Sequence, residues 1–331
     1  MARAVARHRG RVPWPPGAKR RGAAWRPFGP IRAGHSAPVS TPSVGVVIAT
    51  RNRASSLVTT LDRLTSLPER PPVLVVDNAS ADGTPELLAR RFPAVQVLAL
   101  PRNRGALARN DGVQSLPARY IAFSDDDSWW EPGALAAAVE LMEANPGIGL
   151  VAARTEVGPR RAPDPLNAVL AGSPLTRRPD LPGPPVLGFL GCAAVVRRSA
   201  FLDVGGYHPL LFFGAEETLL AYDLAAAGWD VCYAPRVTAV HHPSNEPRAR
   251  RSTLVRRNEV LTSWLRRPLP VALRDTWRLA REARGDRAAR RALGQLVPRL
   301  PAAWRGRRTL PDAVEADVRR LERLELSHAA G

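Results

Sequence analysis

Lysine is nearly missing from this chain of 331 residues; Lys19 is the only one. A site that depends on a lysine ammonium group has none to use beyond that position. Cysteine is scarce as well. Cys192 and Cys232 are too few for a disulfide framework or a cysteine-built metal cluster. Both lie in apolar stretches and are expected as buried free thiols, which suit a reducing cytoplasm. No run of 18 apolar residues occurs, so no membrane-spanning helix is expected. The basic N-terminus lacks the continuous apolar stretch of a secretory signal. Acidic residues are absent from the first 40 positions, which hold nine basic ones. Residues 1–42 are therefore expected to be a disordered basic arm.

The formal charge of +18 invites a nucleic-acid reading, but its distribution opposes it. Residues 41–247 hold 18 basic and 21 acidic residues, whereas 248–308 hold 18 basic and only four acidic. A near-neutral body over 43–247 is thus followed by an Arg-rich, helical region over 248–331. Nucleic acid is not expected as a partner. Basic helices of this kind suit an anionic membrane surface instead, or simply a solvated helical cap. Trp264, Leu273, Trp277 and Leu296 are expected to anchor that region.

The body alternates strands with helices. Strands are expected over 43–49, 72–80, 95–98 and 120–123, and helices over 54–67, 84–91, 104–116 and 132–144. The strand runs are apolar without alternation, which indicates cover on both faces. This predicts an α/β fold with a mostly parallel, Rossmann-like sheet flanked by helices. Further strands are expected at 148–153, 186–197 and 231–233, with helices at 200–204 and 216–227. The Pro-rich stretch 158–185 reads as irregular. Beyond it come helices at 250–265, 269–292 and 311–326. Ligands of such sheets sit at the carboxyl ends of the strands. The polar clusters 50–53, 77–80, 102–105 and 125–127 all fall there.

Asp125-Asp126-Asp127 directly follow an apolar strand and precede Trp129-Trp130. Crowded carboxylates repel unless a cation offsets them, and Mg²⁺ or Mn²⁺ suits carboxylate and phosphate oxygens. Asp77 also ends a strand; it would accept hydrogen bonds from a ribose or base edge, or merely cap a turn with Ser80. Asn103 opens a helix whose amides, with Arg109 a turn further on, suit a diphosphate; otherwise Arg109 is a surface residue. Glu216-Glu217 start another helix. They offer either a general base with a raised pKa or simple compensation of the helix dipole. His241 or His242 follows a strand end and offers an imidazole ligand.

Seven segments in this order resemble family 2 glycosyltransferases of the GT-A fold: VVIATRNR (46–53), VLVVDNASADGT (73–84), NRGALARNDG (103–112), FSDDDSWWEPGAL (123–135), GCAAVVRRSAFLDVGGY (191–207), GAEETLLAYDLAAAGWDVCYAP (214–235) and VHH (240–242). The resemblance covers residue 43 to about 245. RRN at 256–258 is similar to subfamilies that include rhamnosyltransferase-like enzymes. The resemblance implies an inverting glycosyltransferase of cell-wall, polysaccharide or glycolipid synthesis. It would use a nucleoside-diphosphate-sugar donor, Mn²⁺ or Mg²⁺, and a glycan, lipid-linked or small-molecule hydroxyl acceptor. It would work in the cytoplasm, with room for peripheral contact to the inner face of the cell membrane. By the same resemblance Thr50, Arg51 and Arg53 would face the nucleotide, Asp77 its base or sugar, and Asn103 and Arg109 the diphosphate. Asp125 would hold the ribose or the turn. Asp127, with Asp126 as a second candidate, and His241 would hold the metal. Glu217 would be the base and Glu216 would orient its loop. Leu219 departs from the pattern, which often has a carboxylate there. Rival readings are a sugar nucleotidyltransferase, opposed by the missing lysine and by the lack of a Gly-rich loop after the first strand, and a noncatalytic nucleic-acid or anionic-surface binder.

Overall fold

Val46, Val47 and Ile48 are consecutive and fully buried, yet they serve two different cores. Val46 and Ile48 join one apolar cluster, and Val47 joins the other. Successive strand residues point to opposite faces, so an unbroken apolar run means a sheet covered on both sides. The computed structural model describes residues 43–243 and 249–330; the expected arm over 1–42 lies outside the described residues.

The elements run β1 (Val44–Thr50), α1 (Ala54–Thr65), β2 (Val73–Asp77), α2 (Thr84–Arg91), β3 (Gln96–Ala99), α3 (Leu107–Ser115) and β4 (Tyr120–Ser124). Then come β5 (Ser128–Trp130), α4 (Ala134–Ala144), β6 (Ile148–Val157), β7 (Ala162–Pro163), α5 (Leu166–Ala171), β8 (Ala194–Arg197), α6 (Arg198–Asp203), α7 (Glu216–Ala226) and β9 (Asp230–His241). The chain ends with α8 (Ala249–Arg266), α9 (Leu269–Glu282), α10 (Arg287–Leu296), α11 (Leu300–Arg305) and α12 (Asp312–Ala330). One mixed sheet has the order β3-β2-β1-β4-β8-β6-β9-β5, with β7 beside β6. Its first half, β3 to β4, is parallel, as expected. Antiparallel pairing enters with β8. Leucines of α1 (Leu57, Leu61, Leu64) cover one face, together with Leu135 and Met142 of α4. Val113 of α3, Phe201 of α6 and Leu220 and Leu224 of α7 cover the other.

The structure corrects several expected elements. The helix expected from 104 starts at Leu107, because Gly105 turns with φ 59° and its N–H is taken by the Asn103 side chain at 2.9 Å. Of the strand expected over 186–197, only Ala194–Arg197 pairs regularly. The short strand expected at 231–233 extends to His241, since its second half finds a partner in β5. The Pro-rich stretch contains a two-residue strand and a one-and-a-half-turn helix. The helix expected over 269–292 is two helices. Asp286 caps the second by accepting from the Ala288 N–H at 2.6 Å.

The C-terminal helices are cored onto α7. Leu211 and Leu219 pack with Val260, Leu261, Leu265 and Leu296. Leu296 anchors as expected; Leu273 and Trp277 do not, being 52% and 60% exposed. Helix α9 buries Ala272, Asp275 and Leu279 instead, and the residues at i, i+4 and i+8 from Leu269 face outward. No helix of the described residues is long and apolar enough to cross a membrane.

Candidate active site

Parallel pairing brings the ends of β1, β2 and β4 to one edge of the sheet. Thr50 lies opposite Asp77, and Ile48 opposite Ser124. The next residues, Asp125–Asp127, form a tight turn: Asp125 N–H donates to the Ser128 hydroxyl at 2.7 Å, and Ser128 N–H donates back to the Asp125 carbonyl at 3.3 Å. Residue 128 then opens β5, which pairs antiparallel with β9 in the register Ser128↔His241. This pairing delivers His241 to the aspartates.

The three carboxylates take different directions. Asp125 is gripped by the buried Arg109 guanidinium. Asp126 accepts from the Thr50 hydroxyl at 2.9 Å and lies 3.3 Å from Arg53 Nε. Asp127 accepts from Arg53 Nη2 at 3.0 Å and lies 3.4 Å from His241 Nε2. Burial, then the charges of Asp125 and Asp127, push the Asp126 carboxyl up to about 7. Burial disfavours the charged form of His241, but the hydrogen bond to Asp127 and the charges of Asp127 and Asp125 outweigh it and raise its pKa. His242 turns away, its ring edge-on to Trp129 at 4.7 Å between centroids.

These residues line a cavity of about 480 Å³, the size of a small-ligand site. Thr50, Arg51, Arg53, Asn103, Arg109, Asp125, Asp126, Asp127, Glu217 and His241 are all on its wall. Asp77 and Glu216 are not. Asp77 is 2% exposed; its Oδ2 accepts from the Ser80 N–H at 3.1 Å, and its Oδ1 is buried without a hydrogen bond. Glu216 lies beneath the wall. Burial and the charge of Glu217 push its carboxyl well above the usual range, and its Oε2 has no hydrogen-bond partner. Arg109 is not a surface residue. It is 6% exposed, and the charge of Asp125, first among its acidic neighbours, holds it cationic against the burial.

Sequence reasoning missed Asn78, Gly191, Phe212 and Phe213 as wall residues. Asn78 clamps the next loop, donating to Gly105 O at 3.0 Å and accepting from Arg104 N–H at 2.7 Å. Its place after Asp77 was the available signal. Gly191 underlies Glu217: a Cβ there would come 2.9 Å from Glu217 Oε1. Leu219, the departure from the family pattern, is 1% exposed and packs against α8, away from the cavity.

The donor set fits a hard divalent cation. Carboxylate oxygens and an imidazole converge, and burial with the charges of Asp125 and Asp127 raises the Asp126 carboxyl although Arg53 and Thr50 oppose it. The ligand atoms of Asp125, Cys192 and His241 lie within 4.8 Å of one another. Cys192 is a buried free thiol, as expected, but its position beside the aspartates was not foreseen. Burial first, then Asp125 and Asp127, raise its pKa well above the ordinary value. Mg²⁺ and Mn²⁺ prefer oxygen donors to a soft sulfur, so the carboxylates and the imidazole are the donors that suit them.

Residues 45–205 match the sequence family described as "Glycosyl transferase family 2". The N-acetylglucosaminyl-diphospho-decaprenol L-rhamnosyltransferase of Mycobacterium tuberculosis (strain CDC 1551 / Oshkosh) is 28% identical over 276 residues, covering 71% of this chain and 90% of its own. The pre-mycofactocin glycosyltransferase of the same strain is 32% identical over 217 residues, covering 62% of this chain and 45% of its own. Among solved structures, a mannosyltransferase from Pyrobaculum calidifontis, in complex with GDP-Man and Mn²⁺, has a TM-score of 0.55 at 21% identity. That likeness spans 88% of this chain and 81% of the mannosyltransferase.

Proposed function

We propose, from the match of residues 45–205 to the family described as "Glycosyl transferase family 2", that this chain is an inverting, divalent-metal-dependent glycosyltransferase. It moves a sugar from a nucleoside diphosphate to an acceptor hydroxyl. The observation that carries the reading is the single cavity in which Asp125, Asp126, Asp127, His241 and Glu217 share one wall. Residues 43–247 form the catalytic unit in this reading, and 248–331 the helical region packed on it.

Thr50, Arg51 and Arg53 face the nucleotide, with Asp77 and Asn78 behind them. Asn103 and the turn at Gly105 border the diphosphate. Arg109 acts one step back, holding Asp125 in place and adding positive charge under the leaving group. Asp127, Asp125 and His241 would hold Mn²⁺ or Mg²⁺, which when bound offsets the negative charge of the donor phosphates. The Glu217 carboxylate takes the proton of the acceptor hydroxyl. The acceptor oxygen then forms its bond to the anomeric carbon on the face opposite the diphosphate. The bond from that carbon to the diphosphate oxygen breaks, and the nucleoside diphosphate leaves with the electron pair. One displacement inverts the anomeric configuration.

The rhamnosyltransferase relative, by its name, acts on a lipid-linked diphosphate sugar; a lipid-linked acceptor in cell-wall or glycan synthesis is therefore part of the proposal. The outward face of α9, with Leu269, Leu273 and Trp277 beside Arg274, Arg278 and Arg281, is suited to rest on an anionic membrane. The deciding assay is turnover of UDP-, dTDP- and GDP-sugars with and without Mn²⁺ or Mg²⁺. Glu217→Gln should lower kcat by roughly 10²–10⁴-fold with donor affinity retained. Metal-independent turnover would reject the metal assignment, and wild-type kcat in Glu217→Gln would reject the base.

A further inference from the structure

The loop that leads into α7 has a backbone that residues with a Cβ disfavour. Phe212 and Ala215 hold φ of 65° and 59°, and Gly214 holds 89°. Such conformations persist only where the surroundings enforce them. Here the enforcement comes from two sides.

On one side stands α8. Asn258 is 0% exposed and Arg257 2%. The Asn258 amide nitrogen donates to the carbonyls of Leu211 at 2.8 Å and Phe213 at 3.0 Å, and also to that of Gly214. Arg257 Nη2 donates to the same Leu211 carbonyl at 2.7 Å. Arg257 also grips the Asn258 side-chain oxygen, with Nε at 2.9 Å and Nη2 at 2.8 Å. A guanidinium only donates, so it must meet the oxygen end of the amide. That directs the NH₂ end to the loop. Gln295 of α10 steadies the guanidinium from behind by accepting at 2.8 Å.

On the other side stands the turn that opens α3. The Phe212 carbonyl accepts from the Ala106 N–H at 2.6 Å. Gly105 lies so close that a Cβ on it would come 2.2 Å from the Phe212 oxygen. The loop is therefore held between the turn beside the proposed donor site and the C-terminal helices. Glu217 follows two residues after its last strained position.

We propose that Asn258, seated by Arg257, is a positioning residue for the transfer step: it locks the 211–215 loop and so sets where Glu217 stands in the cavity. The RRN segment at 256–258 thus gives the C-terminal helices a share in catalytic geometry, although neither Arg257 nor Asn258 lines the cavity. The inference rests on the assignment of Glu217 as the base.

Asn258→Asp tests it in the full chain, because it keeps shape and the contact to Arg257 while removing both N–H donors. Hydrogen–deuterium exchange of residues 211–217 should quicken at least tenfold. kcat should fall at least tenfold, while nucleoside-diphosphate affinity in Mn²⁺ stays within about threefold. The pKa of the acidic limb of the kcat–pH profile, where the base loses its proton, should move, which a loss of stability alone would not cause. Unchanged exchange would overturn the clamp. Quickened exchange with unchanged kcat would overturn its catalytic consequence. If Asn258→Asp does not fold, Arg257→Lys serves instead. An ammonium cannot span the Leu211 carbonyl and the Asn258 oxygen as the planar fork does, so the same changes should follow in milder form; their absence would count against the proposal. Wild-type kcat in Glu217→Gln would instead remove the base assignment and leave the exchange result standing.

Discussion

Asp223→Asn changes one atom of a side chain, yet the structure assigns it a large effect. Asp223 of α7 and Arg266 of α8 form a two-pronged ion pair in which both side chains are 6% exposed. One prong, Arg266 Nη2 to Asp223 Oδ2, measures 2.9 Å; the other joins Nε to Oδ1. Arg266 otherwise reaches carbonyl oxygens, of Leu265 at 2.9 Å and Gly306 at 3.4 Å. An asparagine would leave the guanidinium charge buried without its counter-charge and would turn an NH₂ group toward its N–H groups. Breaking a buried pair from one side costs roughly 3–5 kcal/mol, against a typical domain stability of about 5–15 kcal/mol. Asp62→Asn is the control, since the Arg91–Asp62 pair is 51% and 50% exposed; such a pair contributes about 0–1 kcal/mol. Urea unfolding followed by circular dichroism measures both. The double change Asp223→Leu with Arg266→Met should recover most of the loss, because no charge is then stranded. A loss in Asp223→Asn no greater than in Asp62→Asn would refute the reasoning.

The Asp126 carboxyl, raised to about 7 by burial and its two neighbours, binds its proton more tightly folded than unfolded. Its stabilising contribution is complete below the unfolded value of about 3.9 and is lost as pH rises through about 7. Between pH 5 and 8 the thermal midpoint of the metal-free protein should therefore fall relative to that of Asp126→Asn; parallel curves would contradict this. The imidazole of His241, whose pKa is raised, must lose its proton to hold the metal, so Mn²⁺ should raise the midpoint more at pH 8 than at pH 5, and equal shifts would argue against His241 as a ligand. On the outward face of α9, Leu273→Glu with Trp277→Glu should reduce flotation with anionic liposomes at least tenfold; undiminished recovery would remove the membrane face.

The candidate site was partly legible before any folding. Apolar runs ending in polar clusters at 50–53, 77–80 and 125–127 are local signals, and the parallel half of the sheet follows from them by general rules of α/β topology. Helix starts were misjudged where a distant group intervened. Gly105 bends to admit the carbonyl of Phe212, 107 positions away in sequence, and no local pattern announces that. Phe212 and Phe213 reach the cavity wall through the same long-range contact.

Residue type and short-range order were enough to single out the acidic turn, the carboxylate pair at 216–217 and the two adjacent histidines as candidates. Their placement was a tertiary matter. The ring of His241 rather than that of His242 meets the Asp127 carboxylate because β9 pairs with β5 in the register Ser128↔His241, which turns the next ring onto Trp129. Glu217 lines the cavity while Glu216 lies buried, because the 211–215 loop is held in one strained shape from both sides. Leu219, unreadable in its role from sequence, makes an apolar contact with α8. Strand register and helix docking join residues a hundred or more positions apart, and the free energy that selects them resides in burial and hydrogen bonds formed only once the chain is closed.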